Sequence, residues 1–297
     1  MAASHWFSRV VSMSVQILPG IAPLAARYDG FILDLWGLLH NGEKMFPGVV
    51  EALDRLKAAG KVICLLSNAP RRRAAVAATL AEMGLEPALY HHLHTSGEAT
   101  HAALRTPPDP WHAALGRVCL HLGADAEQEL LAGLEIRLTD SPEAASFVLN
   151  SGVADNHDTL DRYQPLLAAC AARRLPMLCA NPDQEVLIGS WRALCAGALA
   201  RHYQTLGGPV RFHGKPYPDV YRQCLRLMNL SHAPHRVVGL GDNLATDIAG
   251  ARNAGMDAVL ALSGIHADAV ARSGLATLLA AAPARPSAVI PEFSWSG

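Results

Sequence analysis

VVGLGDNLATDIAGARNAG, residues 237 to 255, is the stretch that decides the fold class. Its first five residues are apolar or glycine, the pattern of a strand buried on both faces in a parallel sheet. The run ends in an acid, Asp242, and a second acid, Asp247, stands five positions on. ATDIAGARNAG then reads as a helix closed by Gly255. Working outward, the same alternation recurs. FILDL (31–35), VICLLS (62–67), VRFHG (210–214) and AVLAL (258–262) are short apolar runs bounded by turn residues. PGVVEALDRLKAAG (47–60), RRRAAVAATLAEMG (71–84) and PDVYRQCLRLM (218–228) carry helical spacing, and Gly60 and Gly84 close the first two. Strand–helix alternation of this kind predicts an α/β fold built on a doubly wound parallel sheet.

The middle of the chain forms its own set. RTPPDPWH (105–112) is proline-rich and reads as a linker. VCLHLG, AEQELLAGL, EIRLTD, ASFVLNSG, a helix over about 158–174 and PMLCANPD follow it. The expectation is a core domain made of residues 17–105 and 209–297, with a second α/β unit inserted at 106–208. Residues 1–16 read as a loose extension, and a start at Met13 would remove most of it. The Pro- and Ser-rich tail PARPSAVIPEFSWSG (283–297) is expected to be loosely attached.

Bulk properties exclude several classes. The chain has 297 residues, 51% hydrophobic and 17% charged, which allows a sizeable core and argues against disorder. A formal net charge of −1 gives no electrostatic case for nucleic acid. No apolar stretch reaches the length of a membrane span. The six cysteines are scattered with no CxxC pair, which fits reduced, buried thiols in a cytoplasmic protein.

Four strand ends carry unusual residues. They are Asp34, the pair Ser67-Asn68, Lys215, and Asp242 with Asp247. Singly, each has an ordinary structural explanation as a cap, a turn or a solvated lysine. Together their chemistry fits, because open α/β sheets gather their chemistry beyond the carboxyl ends of the strands. Carboxylates at Asp34, Asp242 and Asp247 would repel unless a cation sat among them, and such oxygen ligands suit Mg²⁺. Lys215 adds a positive charge for phosphate. Ser67 offers a hydroxyl, and backbone N–H groups can donate to phosphate oxygens. Asp34 is then the candidate nucleophile on phosphorus.

This constellation resembles the haloacid dehalogenase-like (HAD) hydrolases. Asp34 in LDLWG is similar to the family's first motif and Ser67-Asn68 in LLSNAP to its second. Lys215 in HGKPYPD matches the third, and Asp242 and Asp247 in GLGDNLATDIAGA match the fourth. The insertion resembles the larger α/β cap of the class IIA branch, which includes p-nitrophenyl, pyridoxal, nucleotide and sugar phosphatases. TSGEAT (95–100) and Asn181-Pro182-Asp183 resemble segments of that branch, placing Asn181 and Asp183 near the cap–core interface. The resemblance implies a Mg²⁺-dependent phosphatase that hydrolyses a small phosphorylated metabolite through an aspartyl-phosphate. It also allows a homodimer, since cap-mediated dimers occur among such proteins.

One position departs from the pattern. The family's phosphatases carry a second Asp two residues after the nucleophile, as general acid and base, and here that position is Trp36. The Trp36 backbone carbonyl can still reach a metal, so acid–base help is what goes missing, typically worth about 10²–10⁴-fold. A subgroup of class IIA proteins shares this DxWG pattern. Three readings compete. The first is a phosphatase that uses good leaving groups or borrows another acid such as His40, although His40 reads better as a turn residue. The second is a ligand-binding protein with little turnover. The third is a different chemistry such as dehalogenation, which Asp242 and Asp247 argue against. HHLH (91–94) reads as core or surface histidines rather than a metal site. Arg71, Arg72 and Arg73 read as a helix face, with a phosphate-facing role open to one of them.

Overall fold

In the computed structural model, residues 15–188 and 191–297 are described. Nearly all of the expected extension therefore lies outside the described residues. The strands are, in chain order, β1 (Gln16–Ile17), β2 (Gly30–Leu33), β3 (Val62–Ser67), β4 (His92–Thr95), β5 (Val118–Leu122), β6 (Arg137–Leu138) and β7 (Phe147–Asn150). They continue with β8 (Met177–Cys179), β9 (Glu185–Ile188), β10 (Trp191–Leu194), β11 (Val210–Phe212), β12 (Val237–Gly241), β13 (Asp257–Ala261) and β14 (Ala288–Ile290).

The larger sheet has the order β1-β14-β13-β12-β2-β3-β4, and every pairing in it is parallel. Its central strands are buried on both faces. Phe31, Leu33, Val238 and Leu240 pack into one apolar layer, and Ile32, Cys64, Val237 and Leu260 pack into another. That two-sided burial is why the strands read as continuous apolar runs. The strand order reverses at β2 and β12, the switch point where such sheets open a crevice. Asp34 directly follows β2, and its N–H donates to the Leu240 carbonyl of β12 at 2.9 Å. Asp242 directly follows β12. Register alone thus brings two of the four strand-end groups side by side.

The smaller sheet has the order β11-β8-β7-β5-β6, also all parallel, with apolar clusters on both faces. β9 and β10 form a separate antiparallel hairpin. Sequence reading missed this hairpin, although EVLI and WRAL on either side of Gly189-Ser190 carry its signal.

Four expectations need correction. β11 pairs with β8, so residues 210–212, assigned from sequence to the core, belong to the smaller sheet. Gln16, placed in the loose extension, is paired in β1 with Ala288 of β14. The tail is not loose, because β14 is a buried strand beside β13 and Phe293 is buried. Its prolines, Pro283, Pro286 and Pro291, flank the Ala288–Ile290 ladder rather than interrupt it, so no sheet hydrogen bond is lost. The 105–112 segment is also more ordered than a linker. It holds the short helix Pro110–Ala113, with the Asp109 carboxylate accepting from the His112 N–H at 3.0 Å.

Side-chain contacts join the two sheets' units. His112 Nδ1 lies 2.9 Å from Asp109 Oδ1, and His112 Nε2 lies 3.1 Å from His213 Nε2. His112 enters the smaller unit and His213 leaves it, so this pair ties both crossings together. Among the described residues no helix is long and apolar enough to cross a membrane.

Candidate active site

The four sequence-predicted segments meet at one end of the larger sheet. Lys215 Nζ lies 2.5 Å from Asp34 Oδ1 and 2.7 Å from Asp247 Oδ1. Oxygens of Asp34, Asp242 and Asp247 lie within 4.8 Å of one another, and all three residues are buried. Asp247 Oδ2 accepts from the Asn243 N–H at 3.0 Å, and Asp242 Oδ2 accepts from the Ile265 N–H at 2.7 Å. Glycines make the room. A Cβ at Gly37 would fall 2.1 Å from Asp242 Oδ2, and one at Gly241 would fall 2.1 Å from the Asp247 carboxyl carbon. Gly37 also sits at φ +84°, a conformation that other L-residues rarely adopt.

Electrostatics follow from this crowding. Burial raises the Asp34 carboxyl above its ordinary range, and Lys215 opposes the shift. Asp242 is pushed well above the ordinary range by burial and by the charges of Asp34 and Asp247. Asp247 is raised to about 6, chiefly by burial and Asp34, against the pull of Lys215. Burial alone would lower Lys215, but Asp247 and Asp34 hold it well above its ordinary value. One ammonium thus faces three carboxylates, so the site has charge left for a further cation. The donor set is all oxygen, as hard divalent cations prefer. No protein N–H donates to the Trp36 carbonyl among the described residues, which leaves that oxygen free as well.

A cavity of about 500 Å³ opens above this cluster. Ser67, Asn68, Asn181 and Asp183 all line it. Ser67 Oγ accepts from the Ala69 N–H at 3.1 Å, which leaves its own O–H free to donate. The Asn68 side chain is fully used by the protein. Its Nδ2 donates to Asp183 Oδ1 at 2.9 Å and to the Lys215 carbonyl at 3.1 Å. Its Oδ1 accepts from the Ser96 hydroxyl at 3.1 Å and the Lys215 N–H at 2.7 Å. The expected phosphate-binding role of this side chain therefore becomes a positioning one, holding Lys215 and Asp183 in place. Asn181 Oδ1 accepts from the Asp183 N–H at 3.0 Å and so shapes its own turn. Asp183 is raised to about 6 by burial, against the pull of Lys215.

Trp36 takes a direction that its position alone does not indicate. Its indole N–H donates to the Leu187 carbonyl of β9 at 2.8 Å, strapping the hairpin over the cavity. His40 packs edge-on against this indole, with ring centroids 5.5 Å apart. Its Nδ1 accepts from the Gly42 N–H at 2.9 Å, and burial lowers its pKa to about 4. His40 is therefore a neutral turn residue at pH 7 and a poor proton donor. The HHLH histidines stay away from the acid cluster: His91 Nδ1 accepts from the Ile63 N–H, and His94 is buried. Arg72 pairs with Glu98 at 3.0 Å, whereas Arg71 lines the cavity.

A model described as haloacid dehalogenase-like hydrolase matches residues 31–137, and a HAD-hydrolase-like model matches residues 212–295. Human chronophin is 32% identical over 252 residues, covering 80% of this chain and 82% of chronophin. The chain belongs to the haloacid dehalogenase-like hydrolases. Within that family, its relatives place it in the class IIA branch. Another relative is the ribonucleotide monophosphatase NagD of Escherichia coli K12, 28% identical over 239 residues, covering 79% of this chain and 87% of NagD. A haloacid dehalogenase-like hydrolase from Brucella suis 1330 has a similar structure, with a TM-score of 0.77 and 35% identity, covering 84% of this chain and 95% of that one. The matched segments contain every strand-end group of the site and leave out residues 138–211, among them Ser151, Asn181, Asp183 and Leu187 of the cavity wall. The HAD core therefore accounts for the acid–lysine cluster and, through residues such as Trp36, Phe46, Arg71 and Ile265, for part of the cavity wall, while the smaller unit supplies the remainder.

Proposed function

We propose that the protein hydrolyses a small phosphomonoester through an aspartyl-phosphate on Asp34. The observation that carries this reading is Lys215 Nζ bridging Asp34 and Asp247 beneath the cavity, with Asp242 beside them. A cation held by Asp34, Asp242, Asp247 and the Trp36 carbonyl, Mg²⁺ by the chemistry of these donors, would neutralise charge on the phosphoryl oxygens. Lys215 fixes the orientation of the Asp34 carboxylate and adds a positive charge beside the incoming phosphate. The Ser67 hydroxyl donates to a phosphate oxygen. An Asp34 oxygen attacks phosphorus, the P–O bond of the ester breaks, and the leaving oxygen takes a proton from cavity water. Water then attacks the acyl phosphate at phosphorus, which releases orthophosphate and restores Asp34. Trp36 gives no acid help, so esters with good leaving groups are the better substrates.

The smaller unit serves as the cap in this reading, its closed position marked by the Trp36–Leu187 hydrogen bond. We place the protein in the cytoplasm, which the six free, buried cysteines support. The relatives' names, ribonucleotide monophosphatase, 5'-nucleotidase and glycerol-3-phosphate phosphatase, support a small phosphorylated metabolite as substrate. Binding without turnover is the less favoured reading, because nucleophile, lysine and both further carboxylates are present and in contact.

The test is hydrolysis of p-nitrophenyl phosphate and acetyl phosphate with Mg²⁺. Turnover abolished by Asp34→Asn and by EDTA supports the proposal. Turnover that Asp34→Asn leaves intact overturns it.

A further inference from the structure

A second polar device faces the cavity from the smaller unit. Glu127 lies in the short helix Asp125–Leu131 that follows β5, and Ser151 directly follows β7. Both line the cavity that holds Asp34. The cavity is thus enclosed between the carboxyl ends of two parallel sheets, the place where each sheet can present functional groups. Glu127 Oε2 accepts from the Ser151 hydroxyl at 2.5 Å and from the Ala124 N–H at 3.3 Å. His121 Nε2 lies 2.8 Å from the same Ser151 oxygen.

The proton arrangement follows. Ser151 has one proton, and Glu127 at 2.5 Å is a closer acceptor for it than the Leu122 carbonyl at 3.1 Å. The serine oxygen must then accept from His121, whose ring carries its proton on Nε2. Burial lowers the His121 pKa to about 4, so the ring is neutral at pH 7 and this tautomer is available. The Ser151 hydroxyl, fixed by His121, and the Ala124 N–H are thus the two donors that hold Glu127 Oε2. The other, Oε1, takes no protein hydrogen bond among the described residues. Space is given up for this arrangement: a Cβ at Gly123 would fall 1.9 Å from Ser151 Oγ and 2.5 Å from Glu127 Oε2.

Glu127 caps its helix through the Ala124 N–H, but its other oxygen is left over. The carboxyl is held in a cavity wall, and burial pushes it up to about 7. Arg71 opposes that shift only from a distance, its guanidinium lying 3.3 Å from Thr79 Oγ1. An acceptor with one oxygen locked and one open is suited to receive a donor from a ligand.

We infer that Glu127, oriented by Ser151 and His121, reads a hydrogen-bond donor, a hydroxyl or an ammonium, at the end of the substrate's leaving group remote from the phosphate. This rests on the phosphomonoesterase reading for the phosphate end. It narrows the substrate class to phosphomonoesters of alcohols that carry such a donor. A site built to pair with a substrate donor rejects analogues lacking it, because the buried acceptor is then left unpaired.

The test uses n-alkyl phosphates of graded chain length ending in methyl, hydroxyl or ammonium, against wild type and Glu127→Gln. In the variant the amide oxygen must stay with the Ser151 and Ala124 donors, so its NH₂ replaces the open acceptor. Wild type is expected to prefer a hydroxyl or ammonium ester over the methyl ester by about 10-fold or more in kcat/KM at one chain length. Glu127→Gln should lose that preference, the ammonium arm most, while kcat/KM for the methyl ester holds or rises. The hydroxyl and ammonium arms separate a neutral donor from a cationic one. The same esters are titrated calorimetrically against Asp34→Asn, with and without Glu127→Gln. This binding arm judges Glu127 even if no ester is hydrolysed, whereas absent Asp34-dependent hydrolysis counts against the phosphomonoesterase reading alone. No preference at any length, or a preference that survives Glu127→Gln, overturns the inference.

Discussion

Replacing Lys215 with methionine probes the site without assuming any activity. Lys215 is 4% exposed and lies 2.5 Å from Asp34 and 2.7 Å from Asp247. At 2.7 Å and an effective dielectric constant of about 20, each contact is worth about 6 kcal/mol of Coulomb energy before desolvation. Removing one partner from such a buried pair typically costs about 3–5 kcal/mol, because a charge is stranded. In a chain of this size that is about 5–8 °C in Tm. The pH dependence has a definite sign. Asp247 is raised to about 6 and Asp242 further, above their unfolded values, so the ionised cluster opposes folding as pH rises through about 6. Below about pH 4 both states are protonated and that cost is gone. Without Lys215 the carboxyls should shift further up, and the variant should fall behind wild type most at pH 8 and least near pH 5. Divalent cations should narrow the gap at pH 8 by replacing the lost charge. Thermal and urea unfolding in EDTA at pH 5 and pH 8, then with Mg²⁺, read all three effects. A loss under about 1 kcal/mol, or one that neither acid nor Mg²⁺ reduces, would refute the view of Lys215 as counter-ion to a crowded acid cluster.

Two further expectations concern the contacts that join the units. Trp36→Phe keeps an aromatic ring but removes the hydrogen bond to Leu187, and should cost about 1 kcal/mol of closure. It would appear as a raised KM and faster proteolysis in the β9–β10 hairpin, and unchanged values for both would show that the strap is idle. Asn68→Ala removes three buried and one part-buried hydrogen bonds at once and should destabilise by about 2–5 kcal/mol in urea. A near-neutral result would mean that the network reforms around water.

The site and the fold were legible to different depths. Two-sided burial left β2, β3, β12 and β13 as apolar runs, and parallel pairing requires their carboxyl ends to lie together. Asp34, Ser67, Asp242 and Asp247 could therefore be found and grouped from sequence alone, whereas Lys215, which follows β11 of the smaller sheet, joined them only through its charge. Composition misled at the tail and at Gln16, since proline content does not reveal whether a short strand finds an open sheet edge. The 208/209 boundary failed for a similar reason, because VRF is an apolar strand that either sheet could accept.

The sequence by itself determined the kind of sheet, the order of its motifs and the identity of the acid–lysine cluster, because these follow from local polarity and from what buried charges demand. Only the tertiary structure decided where each side chain's hydrogen bonds go. Asn68 meets Lys215 across 147 residues of chain, and Trp36 meets Leu187 across 151. Such pairings depend on how distant elements pack, so no local pattern encodes them. That is why the Asn68 side chain proved to be a brace and the Trp36 indole a strap, and why Glu127 came into view only when the two sheets closed on one cavity.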